Sequence, residues 1–372
     1  MAGAISLPTT GRLAVYEAPN RPFEIRSLPI RPPKAGEVLV RIRMSTICRS
    51  DIHSYLGHRP NPCPGVLGHE IIGDIVALGD GIRHDMRGDP LAPGDRVTWS
   101  EYFIPGPNYY TEVLDLPQKS PGVDKYGHMA VTTDPHHHGG FGEFCYVLPQ
   151  SWILKLPGDL TDEEATPINC GVATVMCIVE QAEIGMGGTV VVQGLGLLGL
   201  YAAAACKVRG ARFVIGLDTE PARRALGARF GCDKVLDPEG SDLIGQVRAL
   251  CPPDGADAVI EVCGDPEVIP TGLQFLRTAG RYVLGGVVNP ESFVRIDANH
   301  ILRRLITLRG VHNYHPRHLI EALEFVHANR KRFPFHDLVD AKYRLEDVGQ
   351  AMKDAEQRRV LRAAIVPHAV AS

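Results

Sequence analysis

The chain has 372 residues, enough for two domains at roughly 100–200 residues each. Hydrophobic residues at 44% and charged residues at 22% sit close to globular averages and exclude a disordered chain. A net charge of −4 supplies no basic field for nucleic acid, and an odd count of 9 cysteines in so long a chain speaks against a disulfide framework.

In chain order, the start (1–15) lacks the basic residues and apolar stretch of a signal peptide. No apolar run reaches about 18 residues, because Gln193, glycines and Lys207 interrupt the best candidate, 190–208. A soluble, cytoplasmic protein with no membrane partner is therefore expected. Residues 12–147 carry short apolar runs divided by glycine and proline. Of these, 37–43, 71–77 and 96–99 read as strands of a β-rich module. Residues 100–140 hold prolines and tyrosines without a period and read as a long surface lobe.

From Gly187 strands and helices alternate. Strand-like runs lie at 189–192, 211–218, 256–263, 280–287 and 306–309, with helical stretches at 197–208 and 221–230. Such alternation predicts a parallel, doubly wound sheet. A helix over 317–328 and a strand over 361–366 close the chain.

Gly194-Leu195-Gly196-Leu197-Leu198-Gly199 follows the first of these strands and opens a helix, as in a dinucleotide fingerprint. Its glycines allow the tight turn, the approach of pyrophosphate and the packing of helix on strand, and the helix N-terminus faces the phosphates. Asp218 ends the next strand, where a carboxylate accepts from the adenosine ribose and repels a 2′-phosphate. That favours NAD over NADP, although Arg223 and Arg224 follow closely and arginine can hold a 2′-phosphate.

Three separated pieces carry zinc-ligand chemistry: Cys48-Arg49-Ser50-Asp51-Ile52-His53, Gly68-His69-Glu70, and Asn169-Cys170-Gly171. Thiolate and imidazole suit tetrahedral zinc, and three protein ligands with one open position define a catalytic site. Taken singly, each piece also looks like packed core.

In this order, and together with Thr174 and the glycine turn, the pieces resemble the zinc-dependent medium-chain alcohol dehydrogenases over nearly the whole chain. Weaker runs near Leu116, Lys125, Ala165 and Gly310 resemble a subgroup associated with phosphonate breakdown. The resemblance implies an α/β architecture: a GroES-like catalytic domain over 1–171, a Rossmann domain over 172–312, and a return of 313–372 to the catalytic domain. It implies Cys48, His69 and Cys170 as zinc ligands, with Glu70 able to swing onto the metal. It implies Asp51 as the partner orienting His69, Ser50 and His53 as a proton relay, and Thr174 beside the nicotinamide. Arg49 and Arg362 would then contact the pyrophosphate, and Arg223 the ribose. Oxidation of an alcohol with hydride transfer to NAD follows, in a homodimer or homotetramer. The alternatives are an NADPH-dependent carbonyl reductase acting on a small-molecule carbonyl compound and, from another class, a silent crystallin-like nucleotide-binding protein.

Relatives commonly hold a second, structural zinc with four cysteines in the lobe, but 100–140 contains no cysteine. One catalytic zinc, and no structural zinc held by four cysteines, is therefore expected. Tyr102, Phe103, Tyr109, Tyr110 and Tyr126 are the candidates for holding the lobe by packing. His136-His137-His138 is expected to be a solvated loop, with His128 and Glu143 as optional further ligands. Trp99, Tyr55 and Leu56 are expected to line the substrate pocket. Cys145, Cys177, Cys206 and Cys263 are expected in the core.

Overall fold

The computed structural model describes residues 7–368. The chain divides into two compact units. The first runs to Cys170 and takes back His315–His327 and the chain from Phe335 onward; the second comprises Gly171–Tyr314 and Ala328–Pro334. The expected return of 313–372 to the first unit is thus interrupted, because Ala328–Pro334 packs with the second, where Phe333 stacks on Phe230 at 6.5 Å.

The first unit is built on a seven-stranded sheet. Its long central strand, Val38–Thr46, buries Val38, Val40, Ile42 and Met44 and leaves Arg41 and Arg43 exposed, the alternation of a pleated strand. It pairs antiparallel with Glu70–Leu78 and Phe144–Val147, and at its far end with Ala363–Ile365, so the closing strand returns to this sheet. Arg96–Trp99 extends the sheet on Glu70–Leu78. A three-stranded sheet, Thr10–Tyr16 flanked by Glu24–Pro29 and Gly65–Val66, stands beside it. Trp99, Tyr126, Tyr146 and Val147 lie in the apolar core of the unit.

The lobe is not wholly irregular. Tyr102–Phe103 pairs antiparallel with Asp124–Lys125, and Tyr102 and Tyr126 are fully buried. Tyr109, by contrast, is 60% exposed and does not hold the lobe. The histidine run is also not solvated. His137 and His138 are fully buried, and each ring of the run meets a backbone carbonyl: His136 that of Val131, His137 that of Leu28 and His138 that of Ala130. His136 and His138 thereby tie segments of the lobe together through one ring nitrogen each, and His137 ties the lobe to the strand Glu24–Pro29.

The second unit is a six-stranded, all-parallel sheet. In chain order its strands are Thr189–Gln193, Phe213–Leu217, Lys234–Leu236, Ala256–Glu261, Leu276–Leu284 and Thr307–Gly310. In space they stand third, second, first, fourth, fifth, sixth, the order of a dinucleotide-binding sheet. The first strand, Thr-Val-Val-Val-Gln, is buried on both faces, as a central parallel strand must be. Lys234–Leu236 went unread because it is only three residues long. All nine cysteines are free thiols. Cys145, Cys177 and Cys206 are buried, but Cys263 is exposed. No helix among the described residues is long and apolar enough to cross a membrane.

Candidate metal centre and coenzyme turn

Within the first unit the central strand ends at Thr46, and the helix Arg49–Tyr55 begins at once, with Cys48 as its cap. Asp51, fully buried, fastens this corner. One carboxylate oxygen accepts the Cys48 N–H at 2.8 Å, and the other accepts the Gly68 N–H at 3.0 Å and lies 3.3 Å from His69 Nδ1. Gly68 sits at φ +91°, a conformation glycine adopts readily, and turns His69 toward the cap. The third segment is pinned by Asn169, whose amide donates to the carbonyls of His69 (2.9 Å) and Trp99 (2.8 Å). The donor atoms of Cys48, His69 and Cys170 thereby lie within 4.8 Å of one another.

The electrostatics suit a cation. The hydrogen bond with Cys170 holds the Cys48 thiol well below its usual value against burial, and His69 and Arg362 add to the effect. The hydrogen bond with Cys48, and then burial, pushes the Cys170 thiol up. Burial opposes a charged His69, but Asp51 and the Cys48 thiolate hold its pKa above that of an ordinary histidine. Two thiols and an imidazole fixed by a carboxylate are the donor set of catalytic zinc.

Glu70 is fully buried and behind the cluster. Thr46 donates to it at 2.5 Å and Arg362 faces it at 3.4 Å, yet burial still pushes its pKa up to about 7. Arg362, expected at the pyrophosphate, is turned inward: it is 6% exposed and donates to the Ile47 carbonyl at 2.7 Å. Ser50 Oγ lies 3.3 Å from His69 Nε2, and His53 follows one helical turn later, half-buried. Arg49 is exposed.

The expected pocket wall is corrected. Trp99 is fully buried in the sheet core, edge-on to Tyr126, because the pleat turns its ring inward. Tyr55 and Leu56, at the end of their helix, pack against the cluster around Tyr16, with Tyr55 stacked on Phe23 at 5.2 Å. Glu143, expected as an optional ligand beside the histidine run, pairs with Arg12.

Two residues beside the cluster escaped the sequence reading or were left optional in it. Glu101, 3% exposed, brings Oε2 to 4.0 Å from His69 Nε2, and its other oxygen faces Lys125 at 3.7 Å. Burial opposes its charge, but Lys125 and His69 keep its carboxyl below the usual range. The His128 ring lies 5.8 Å from that of His69. Its Nδ1 is 3.0 Å from the Tyr126 carbonyl, and burial pushes its pKa down to about 4, so it is neutral.

In the second unit, Gly194 has φ +93° and a Cβ there would fall 2.7 Å from that of Cys263. A Cβ on Gly199 would fall 1.8 Å from the Gly194 carbonyl, so the helix Leu197–Val208 can pack this closely only with glycine there. Gly196 caps that helix, and the space above it is open. Asp218, at the end of the next strand, accepts from the N–H groups of Leu195 (2.8 Å) and Glu220 (2.9 Å), with Arg223 3.8 Å away. Arg224 is turned to the carbonyls of Asp218 and Thr219. Thr174 is the partly exposed position in the first turn of Gly171–Gln181. The turn, the open approach at Gly196 and the carboxylate fit a dinucleotide.

The family model for the alcohol dehydrogenase GroES-like domain matches residues 34–158, and that for the zinc-binding dehydrogenase matches 198–328. A 5-exo-hydroxycamphor dehydrogenase from Pseudomonas putida is 28% identical over 349 residues, covering 92% of this chain and 94% of the relative. A sorbitol dehydrogenase from Halalkalibacterium halodurans is 27% identical, covering 93% and 96%. The crystal structure of an alcohol dehydrogenase from Thermotoga maritima superposes with a TM-score of 0.93 at 26% identity, covering 97% of this chain and all of that one. The chain belongs to the zinc-dependent medium-chain alcohol dehydrogenase family.

Proposed function

We propose that the protein oxidises an alcohol to an aldehyde or ketone, with one zinc per subunit and NAD as hydride acceptor. The observation that carries this reading is the convergence of Cys48, His69 and Cys170 within 4.8 Å. The names of the two relatives support an alcohol as the substrate class.

Zinc, when bound, acts as a Lewis acid on the alcohol oxygen, and the nicotinamide takes up the hydride. The residues of the chain do the rest. Cys48, His69 and Cys170 hold the metal, and Asp51 keeps His69 in one orientation. Ser50, beside His69 Nε2, receives the substrate proton, and His53 passes it to solvent. Glu70 is a carboxylate able to approach the metal from behind, held in reserve by Arg362. The glycine turn and Arg49 take the pyrophosphate, Thr174 borders the nicotinamide, and Asp218 with Arg223 takes the ribose.

Asp218 supports NAD over NADP, since a buried carboxylate repels a 2′-phosphate. The free thiols support a reducing, cytoplasmic location. The exposed edge strand Thr307–Gly310 supports a homodimer or homotetramer. An anionic substrate such as a hydroxyalkyl phosphonate is disfavoured, because Lys125 already faces Glu101.

The test combines elemental analysis with initial rates. About one zinc per chain, with NAD-dependent oxidation of simple alcohols, is expected. Metal-free protein that oxidises alcohols at the same rate would overturn the reading.

A further inference from the structure

The order of the parallel strands reverses between Thr189–Gln193 and Ala256–Glu261, which run side by side with Gln193 opposite Glu261. A dinucleotide lies across such a point, at the carboxyl ends of the strands. Asp218 stands on one side of it, just after Phe213–Leu217. The other side is organised by Glu261, which belongs to neither the glycine motif nor the metal motifs.

Glu261 is fully buried, and its partners are backbone groups of two turns. Oε1 accepts the Gly264 N–H at 2.7 Å, in the turn that follows its own strand. Oε2 accepts the Gly286 N–H at 3.1 Å, in the turn that follows the neighbouring strand Leu276–Leu284. The Glu261 carbonyl accepts the N–H groups of Gly285 (2.9 Å) and Gly286 (3.0 Å) as well. No lysine, arginine or histidine pairs with this carboxylate among the described residues. A buried carboxylate is costly unless both oxygens are satisfied, so the side chain and the two turns hold one another. Glycine loses more freedom on ordering than any other residue, so these turns need such a hold. Their contact also needs glycine, since a Cβ on Gly286 would fall 2.7 Å from the Gly264 nitrogen.

The second turn lies against the helix that carries Thr174. Ile178 packs directly on Gly285. Thr174 stands one helical turn before Ile178 on the same face, and is partly exposed. Cys263, inside the first turn, abuts Gly194 of the coenzyme turn.

We propose that Glu261 is a positioning residue for the nicotinamide half of the coenzyme. It fixes the turns 262–264 and 285–286 as the wall beside which that half lies, and Asp218 serves the adenosine half. Glu261 itself, buried beneath its turns, acts only through them. This rests on the reading of the glycine turn as the coenzyme site and is independent of the choice between NAD and NADP.

The test is calorimetry on the full chain with NADH and with ADP-ribose, which keeps the adenosine and the pyrophosphate but has no nicotinamide. If NADPH binds more tightly than NADH, NADPH and 2′-phospho-ADP-ribose take their place. In E261A the Kd for the reduced coenzyme is expected to rise by roughly ten- to a hundredfold. The Kd for the nicotinamide-free ligand should stay at the wild-type value, as should the zinc content and the circular dichroism. E261Q keeps the size and one acceptor oxygen, so its Kd for the reduced coenzyme should fall between. It also decides the same comparison if E261A does not fold. An equal loss for both ligands would mean that Glu261 acts through Cys263 on the glycine turn, and would overturn the proposal. Wild-type affinity for the reduced coenzyme in both variants would overturn it too. A wild type that binds neither NADH nor NADPH removes the reading of the glycine turn, and this proposal with it.

Discussion

Asp51 ties the cap of one helix to the ring of one histidine: one oxygen takes the Cys48 N–H at 2.8 Å, and the other lies 3.3 Å from His69 Nδ1. The same buried carboxylate therefore sets the position of two ligands from separate segments. Such a partner fixes the tautomer of the imidazole and raises its basicity, and its loss typically lowers metal affinity by about 10–100-fold. Asp51→Asn keeps the shape and removes the charge. Zinc competition against a chelator should show a loss of that size, with NAD affinity unchanged. Undiminished zinc affinity would mean that Asp51 serves only the helix cap.

The donor atoms of Cys48 and Cys170 lie within 4.8 Å of each other, and a thiol must give up its proton to bind a divalent cation. Cys48→Ala or Cys170→Ala should therefore lower bound zinc from about one per chain to well below half, and turnover with it. The glycine turn belongs to the other compact unit, so NAD binding should survive, which fluorescence titration with NADH would show. Full zinc content in either variant would remove that cysteine from the ligand set.

The ligand segments could be read from the chain because each carries its chemistry locally, as Cys48 to Asp51 and as Gly68 to Glu70. Most of the parallel sheet was legible for the same reason, since strands such as Thr189–Gln193 and Ala256–Glu261 are largely apolar runs. Trp99 was misread because the end of its strand was expected near the pocket, whereas the pleat of a four-residue strand sends its ring into the core. Tyr55 sits only seven residues from Cys48, yet its ring packs in the cluster around Tyr16 and stacks on Phe23. Glu101 went unread, and His128 stayed optional, because they meet across a pair of two-residue strands that has no periodicity to announce it. The burial of His137 and His138 was hidden too, because a run of histidines looks polar until backbone carbonyls are placed opposite its rings.

Asp218 is engaged from both sides, by the Leu195 and Glu220 N–H groups and by Arg223. If it also selects the ribose, wild-type kcat/KM should be higher with NAD than with NADP. Asp218→Ala should lower the NAD value by about 10–100-fold, roughly 1.4–2.7 kcal/mol, and narrow or reverse the preference as Arg223 is released. Asp218→Asn keeps an acceptor for Leu195 and separates the loss of charge from a loosened turn. A wild-type preference for NADP would reverse the coenzyme assignment.

His53 offers a pH signature. Burial first, and then the charge of Arg49, hold its pKa below the ordinary histidine value of 6.5. A relay residue accepts a proton only when neutral. For the wild type, kcat/KM for the alcohol should therefore be low in acid, rise with pH through a midpoint below 6.5, and then level off. Arg49→Ala removes a like charge, which stabilises the protonated ring and must move that limb to higher pH. Arg49→Lys should leave it in place. Profiles over about pH 5 to 8 at saturating NAD separate this shift from any weakening of coenzyme binding by the same substitution. In His53→Phe the limb should vanish and the plateau fall. A limb that persists there, or that ignores Arg49→Ala, belongs to another group, and His53 would then be no part of the relay.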